Sequence, residues 1–202
     1  MFLHRMLGGV GDRSINCSVR CVDKLPEERA VIEILLGNAG LVAVLLAVTW
    51  LISIPLRNVS IVDLIWGLGF VLIAVVSWLR TRFPGEVFGQ FSSRDLLLGC
   101  TAIWGLRLCG YLTWRNWGEP EDKRYRAMRE VRPETFWWVS AGMVFGLQAV
   151  IMWLIALPVQ VGIAGAARGW TWLHPVGLLI WCVGLFFEAV GDWQLARFRA
   201  NP

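Results

Sequence analysis

An all-α polytopic membrane bundle of about five transmembrane helices is the fold this sequence predicts, and three observations predict it. The 202 residues are 56% hydrophobic with 13 Trp, more apolar than a soluble core of that size requires. Uncharged runs recur that are long enough to cross a hydrocarbon layer of about 30 Å, which takes about 20 helical residues. Trp50, Trp78, Trp114, Trp117, Trp137, Trp138, Trp170 and Trp172 fall at or near the ends of those runs, where an aromatic belt meets the membrane interface.

Residues 1–30 read as a flexible polar tail. Asp12, Arg13, Arg20, Asp23, Lys24, Glu27, Glu28 and Arg29 leave no apolar stretch before Ala30, so the segment is not a secretory signal. A wrongly chosen start codon would also produce such a tail. Residues 31–202 form the membrane domain, with spans at about 34–56, 59–79, 96–114, 136–157 and 169–188.

The first span, Ile34 to Leu56, is 23 residues without a charge. Pro55 and the Arg57-Asn58 pair after it mark a tight turn. Val59 to Leu79 is interrupted only by Asp63 and is closed by Arg80, Arg82, Pro84 and Gly85. Leu96 to Trp114 opens with Ser93 or Asp95 as its cap and carries Arg107 in its second half. Thr135 to Ala167 has 33 residues with no charge, more than one crossing uses, and Pro158 falls where such a helix meets the far interface. One span from Phe136 to Leu157 follows. Gly169 to Phe187 is the last uncharged run, with Pro175 near its helix start.

Five crossings put the chain ends on opposite sides. One group of loops holds nine Lys and Arg: Arg57, six from Arg115 to Arg132, and Arg197 with Arg199. The other holds Arg80, Arg82, Arg94 and Arg168, and ties with the first only if the tail is counted. The loop from Arg115 to Arg132 is therefore expected in the cytoplasm, with the N-terminus outside and the C-terminus inside. The basic residues form no single stripe, which argues against nucleic acid as a partner.

Cys17, Cys21, Cys100, Cys109 and Cys182 are odd in number, and three lie in apolar runs, so no disulfide framework is expected. Cys17 and Cys21 have no second pair or nearby His. His4 and His174 are the only histidines, and no metal site, phosphate loop or Ser nucleophile motif is present.

Several polar residues sit at membrane depth, where they are costly unless paired or facing water. Asp63 shares a helix face with Trp66 and Phe70, and reads either as a substrate or proton-handling site or as a carboxylate capping the helix start. Arg107 should pair inside the bundle, with Asp63 a candidate partner, contact a ligand, or snorkel to an interface. Gln148 suits an interhelical hydrogen bond. In the loop Trp117 to Glu130, spacings of four between Glu119 and Lys123, Asp122 and Arg126, and Arg126 and Glu130 support a surface helix. The other reading is that Arg124, Tyr125 and their neighbours contact an anionic cofactor. Glu188, Asp192, Leu195 and Arg199 line one side of the last helix as it leaves the membrane.

The motifs Val-Asp-x-x-Trp-Gly, Trp-Gly-Leu-Arg-Leu, Glu-Asp-x-Arg-Tyr-x-x-x-Arg, a Gln-containing span and Gly-x-x-x-Glu-x-x-x-Asp-x-Gln-x-x-x-Phe occur here in that order. Together, over about residues 58 to 202, they resemble an uncharacterised bacterial membrane-protein family related to steroid 5-alpha-reductases. The resemblance implies an integral protein of the bacterial inner membrane that binds NADPH from the cytosolic side. It would reduce a carbon-carbon double bond conjugated to a carbonyl in a steroid-like or other lipid substrate drawn from the bilayer. It also implies that Asp63 and Trp66 face the catalytic cavity, and that Asp122, Arg124, Tyr125, Glu188, Asp192 and Gln194 lie near the cofactor.

Relatives continue with an Arg-x-x-Arg-His-Pro-x-Tyr-like segment and further helices, whereas this chain stops at Asn201-Pro202. Leu173-His174-Pro175 lacks the preceding Arg and is not that segment. The expectation is an N-terminal fragment, inactive by itself. Two other functions fit the same residues: an S-adenosylmethionine-dependent lipid or isoprenoid methyltransferase, and a non-enzymatic transporter or assembly protein with Asp63, Arg107 and Glu188 as intramembrane pairs.

Overall fold

A computed structural model describes residues 11–81, 91–165 and 170–200, with side chains from residue 28 to residue 199. Arg82, Pro84, Gly85, Arg168, Gly169 and His4, and the side chains of Cys17 and Cys21, lie outside the described residues, as do residues 1–10 of the N-terminal tail. The helices are α1 (Gly11–Leu56), α2 (Ile61–Arg80), α3 (Ser93–Asn116), α4 (Lys123–Val131), α5 (Phe136–Ser140), a π-helical turn (Ala141–Gly146), α6 (Leu147–Ile155), α7 (Leu157–Ala164) and α8 (Leu173–Ala200). Five stretches among the described residues are long and apolar enough to cross a membrane: Glu28–Leu56, Ile61–Arg80, Ser93–Asn116, Phe136–Ile155 and Leu173–Arg199. The chain is an all-α polytopic bundle. Large apolar side chains such as Leu36, Leu51, Ile103, Leu147, Ile180 and Phe187 are exposed on its outside, as lipid-facing side chains are.

Helix α1 begins at Gly11, within the segment that the sequence sets apart as a polar tail. It ends at Leu56 because Arg57 turns the backbone left-handed, at φ 50°. The Asn58 side chain then accepts from the Ser60 N–H at 2.9 Å, which tightens the turn into α2. The cap of α3 is Ser92, one residue before the expected Ser93. Asp95 is the capping-box partner, accepting from the Ser92 N–H at 2.8 Å and from the Trp78 indole at 2.7 Å.

Helices α2 and α3 make the closest pair. A Cβ on Gly67 would run into the Gly105 carbonyl oxygen, and one on Gly105 would meet the Gly67 oxygen at 2.6 Å. Small residues at a crossing let two backbones approach, the usual basis of helix association in lipid. Around this pair the core is built from Val42, Leu46, Val62, Phe70, Ile73, Phe136, Phe145 and Met152.

The long uncharged run from Thr135 divides as Pro158 predicts. Helix α6 stops at Ile155, and α7 starts afresh with Pro158 in its first turn, where the missing N–H costs nothing. The new helix packs on α1, α2 and α3 and buries Gln160 and Ile163. Helix α8 packs against α3, and none of its described residues is fully buried.

Candidate functional site

The polar loop before α4 docks on the α1–α2 turn. The Glu121 carboxylate accepts from the Val59 N–H at 2.9 Å and from Nη2 and Nε along one edge of the Arg129 guanidinium, at 2.7 and 3.0 Å. The Asp122 N–H donates to Ser60 Oγ at 2.8 Å. Helix α4 starts only at Lys123, so Glu119, Glu121 and Asp122 precede it. The ion pairs that form, Arg129–Glu121 and Arg124–Asp122, are not the spacing-of-four pairs that the sequence suggests. Asp122 is the N-cap of α4, accepting from the Arg124 N–H at 2.9 Å.

Burial acts to raise the Glu121 carboxyl, but the Arg129 and Val59 hydrogen bonds and the Arg129 and Arg126 charges outweigh it, leaving it below the ordinary carboxylate range. The hydrogen bonds from the Arg124 side chain and backbone lower Asp122 likewise. Docking of this loop brings Tyr125, on the first turn of α4, over Asp63 on the first turn of α2.

There the side chains form a chain of hydrogen bonds. The Trp66 indole donates to Gln148 Oε1, Gln148 Nε2 donates to the Tyr125 oxygen at 3.3 Å, and the Tyr125 hydroxyl donates to Asp63 Oδ1 at 3.4 Å. Arg124 approaches Asp63 at 4.0 Å from the exposed side. Burial, and then the neighbouring Asp63 charge, push the Tyr125 phenol up to about 12, so it carries its proton at neutral pH.

These residues line one end of a cavity of about 530 Å³ whose walls are otherwise Leu108, Leu112, Met128, Met143, Val144, Leu147 and Ile151, with Arg115 at the rim. Met143 and Val144 come from the π-helical turn, a helix irregularity that recurs at functional sites. Arg115 also lines a second, surface pocket of about 920 Å³, with Lys123, Arg126, Arg199, Trp114, Trp117 and the carboxylates of Glu119, Glu121 and Asp122. Since Arg129 neutralises Glu121 and Arg124 neutralises Asp122, the pocket keeps a cationic excess.

Arg107 is not the partner of Asp63. Its guanidinium grips Glu188 and, at 2.7 Å, Asp192, both on α8. Trp104 donates to Glu188 at 2.8 Å, and the Tyr111 hydroxyl donates to the Asp192 carbonyl at 3.1 Å. Trp104, Arg107 and Tyr111 share the α8-facing side of α3, whereas Leu108, Leu112 and Arg115 face the cavities. Asp63, Trp66, Arg124 and Tyr125 thus meet in one cavity, and Asp122 lines the pocket beside it. Glu188 and Asp192 are joined to α3, and Gln194 is exposed on α8.

Gln148 bridges helices as its position in the fourth span suggests. The sequence reading missed a second buried polar group in the opposite half of the bundle. Asn38 Nδ2 donates to Ser77 Oγ at 2.8 Å and to Gln160 Oε1 at 2.9 Å, all three being buried, and Asn38 Oδ1 has no protein partner. Asn38 and Gln160 are uncharged, and a search for charges in apolar runs passes over them.

No curated protein and no solved structure matches the chain. Residues 49–202 match the family described as protein of unknown function DUF1295, a span covering α2 to α8, the cavity, the docked loop and the Arg107 cluster. The chain belongs to the DUF1295 family.

Proposed function

We propose that this membrane protein is an NADPH-dependent reductase of a carbon-carbon double bond conjugated to a carbonyl in a lipid. The observation that carries the reading is that Arg115 joins two dissimilar pockets: an apolar cavity ending in the Tyr125 hydroxyl, and a surface pocket with excess positive charge. Lipid tails suit the Leu, Met, Val and Ile walls of the first. Dinucleotide phosphates suit Arg115, Lys123, Arg126 and Arg199 in the second. The motif resemblance supplies the reaction, and bound NADPH would supply the hydride.

In this reading Tyr125, protonated at neutral pH, donates to the substrate carbonyl as negative charge builds on it. Asp63 and Gln148 fix the phenol, and Trp66 closes the wall. Glu188 and Asp192 act at one remove, through Arg107, by seating α8 and its Arg199 beside the surface pocket. The end of the bundle carrying Arg115 to Arg132 faces the cytoplasm, in line with its excess of Lys and Arg.

The test uses the full-length gene product in lipid nanodiscs. NADPH and S-adenosylmethionine are titrated separately, and NADPH consumption is then followed with cholestenone and other lipid enones. Saturable NADPH binding, with turnover lowered about a hundredfold by Tyr125→Phe, is expected. Binding of S-adenosylmethionine with no affinity for NADPH would favour the methyltransferase instead, and binding of neither would point to a non-enzymatic role.

A further inference from the structure

The hydrogen bonds from Trp66 to Asp63 can run in one direction only. An indole N–H is a donor and never an acceptor, so the Gln148 oxygen must face Trp66 and its NH₂ must face Tyr125. The Tyr125 oxygen therefore accepts from Gln148, and its one proton goes to the remaining neighbour, the Asp63 carboxylate. With Asp63 ionised, the end of the cavity offers acceptors and no free Tyr125 proton. A carbonyl entering there receives no hydrogen bond from Tyr125, whereas a hydroxyl can donate to Asp63.

We propose that Trp66 and Gln148 set the polarity of this site, so that Tyr125 hydrogen-bonds a carbonyl-bearing lipid only with uptake of one proton by Asp63, while the corresponding alcohol binds without it. The proposal rests on the reading of the apolar cavity as the lipid site. The proton comes from bulk water through the exposed Arg124 side, where the Arg124 side chain is 73% exposed. Once Asp63 is protonated it no longer needs the Tyr125 proton, which turns to the ligand. No covalent bond changes. The charged and titratable groups around Asp63 are Arg124, Tyr125 and Asp122 from the α4 side, with Arg115 of α3 across the cavity and uncharged Gln148 from α6. None of the cations is bonded closely enough to replace Tyr125, since Arg124 stands at 4.0 Å and itself pairs with Asp122 at 3.1 Å.

Cholestenone and its allylic alcohol, titrated against the full-length protein in nanodiscs across a range of pH, separate the outcomes. Where Asp63 is ionised, cholestenone affinity should fall about tenfold per unit of rising pH, the slope of one-proton linkage, and affinity for the alcohol should stay level. On adding cholestenone, an infrared band of a protonated carboxyl should appear, and Asp63→Asn should abolish both the band and the slope. Trp66→Phe frees the Gln148 amide to turn its oxygen toward Tyr125, so the slope should flatten while cholestenone still binds. Equal pH dependence for ketone and alcohol, or a slope that persists in Asp63→Asn, would overturn the proposal and leave the lipid cavity standing. Failure of both probes to bind at any pH would overturn the lipid-site reading itself.

Discussion

Gly67 of α2 and Gly105 of α3 face each other so closely that neither position has room for a Cβ against the other's backbone oxygen. The obstacle is a main-chain carbonyl, which no rotamer change can move, so relief requires the helices to part.

Gly67→Ala should therefore destabilise the bundle by about 1 to 3 kcal/mol, the usual cost of overpacking. It should also shift Trp66, the adjacent residue, away from Gln148. Thermal unfolding in detergent checks the first effect, and Trp fluorescence of the variant against Trp66→Phe checks the second. A fully stable Gly67→Leu protein would refute the close crossing.

Arg107 is the charged link between α3 and the otherwise lightly packed α8, beside the Trp104 and Tyr111 hydrogen bonds. Arg107→Ala leaves Glu188 and Asp192, one helical turn apart, without their shared counter-charge, and should cost about 2 kcal/mol. Hydrogen exchange should rise along α8 and less along α1 and α2. If α8 stays as protected as before, the clamp contributes nothing to its seating.

Asn38 joins α1 to α2 and α7 through Ser77 and Gln160. Asn38→Ala should cost about 0.6 kcal/mol and at most about 1.7 kcal/mol, the average and the upper limit for interhelical hydrogen bonds in a membrane protein. The loss should register first as faster hydrogen exchange in α7. Unchanged exchange there would show that apolar packing alone seats the helix.

The docked loop should respond to both extremes of pH. For Glu121 the folded carboxyl lies below its ordinary 4.5, so its contribution is full above that value and is lost as pH falls through the lower folded one. The Tyr125 phenol is raised from 10.0 to about 12. Its contribution is full below pH 10.0 and is lost as pH rises through about 12, because the unfolded phenol ionises first. Melting temperatures of Glu121→Gln and Tyr125→Phe should each be lower at neutrality and flatter, the first on acidification and the second toward alkali. A wild-type melting temperature that does not move between neutrality and acid would contradict the Glu121 pairing.

The sequence alone determined the membrane bundle and its five crossings, because hydropathy and length are sums over one segment and need no partner. Pro158 marked the end of the fourth crossing for the same local reason: a residue without an N–H cannot continue a helix. Gln148 was legible as a bridge, since an amide in mid-span must bond to another helix.

Partner choice was decided by tertiary structure. Arg107 took Glu188 and Asp192 and not Asp63, because the Gly67–Gly105 crossing fixes how α3 is rotated and turns that face toward α8. Glu121 paired with Arg129 because α4 begins only at Lys123, leaving Glu121 outside the helix and free to reach the Val59 N–H. Asn38, Ser77 and Gln160 come from three separate helices. Their meeting depends on rotation and crossing, which are set by close approach of backbones and which the order of residues along one helix does not contain.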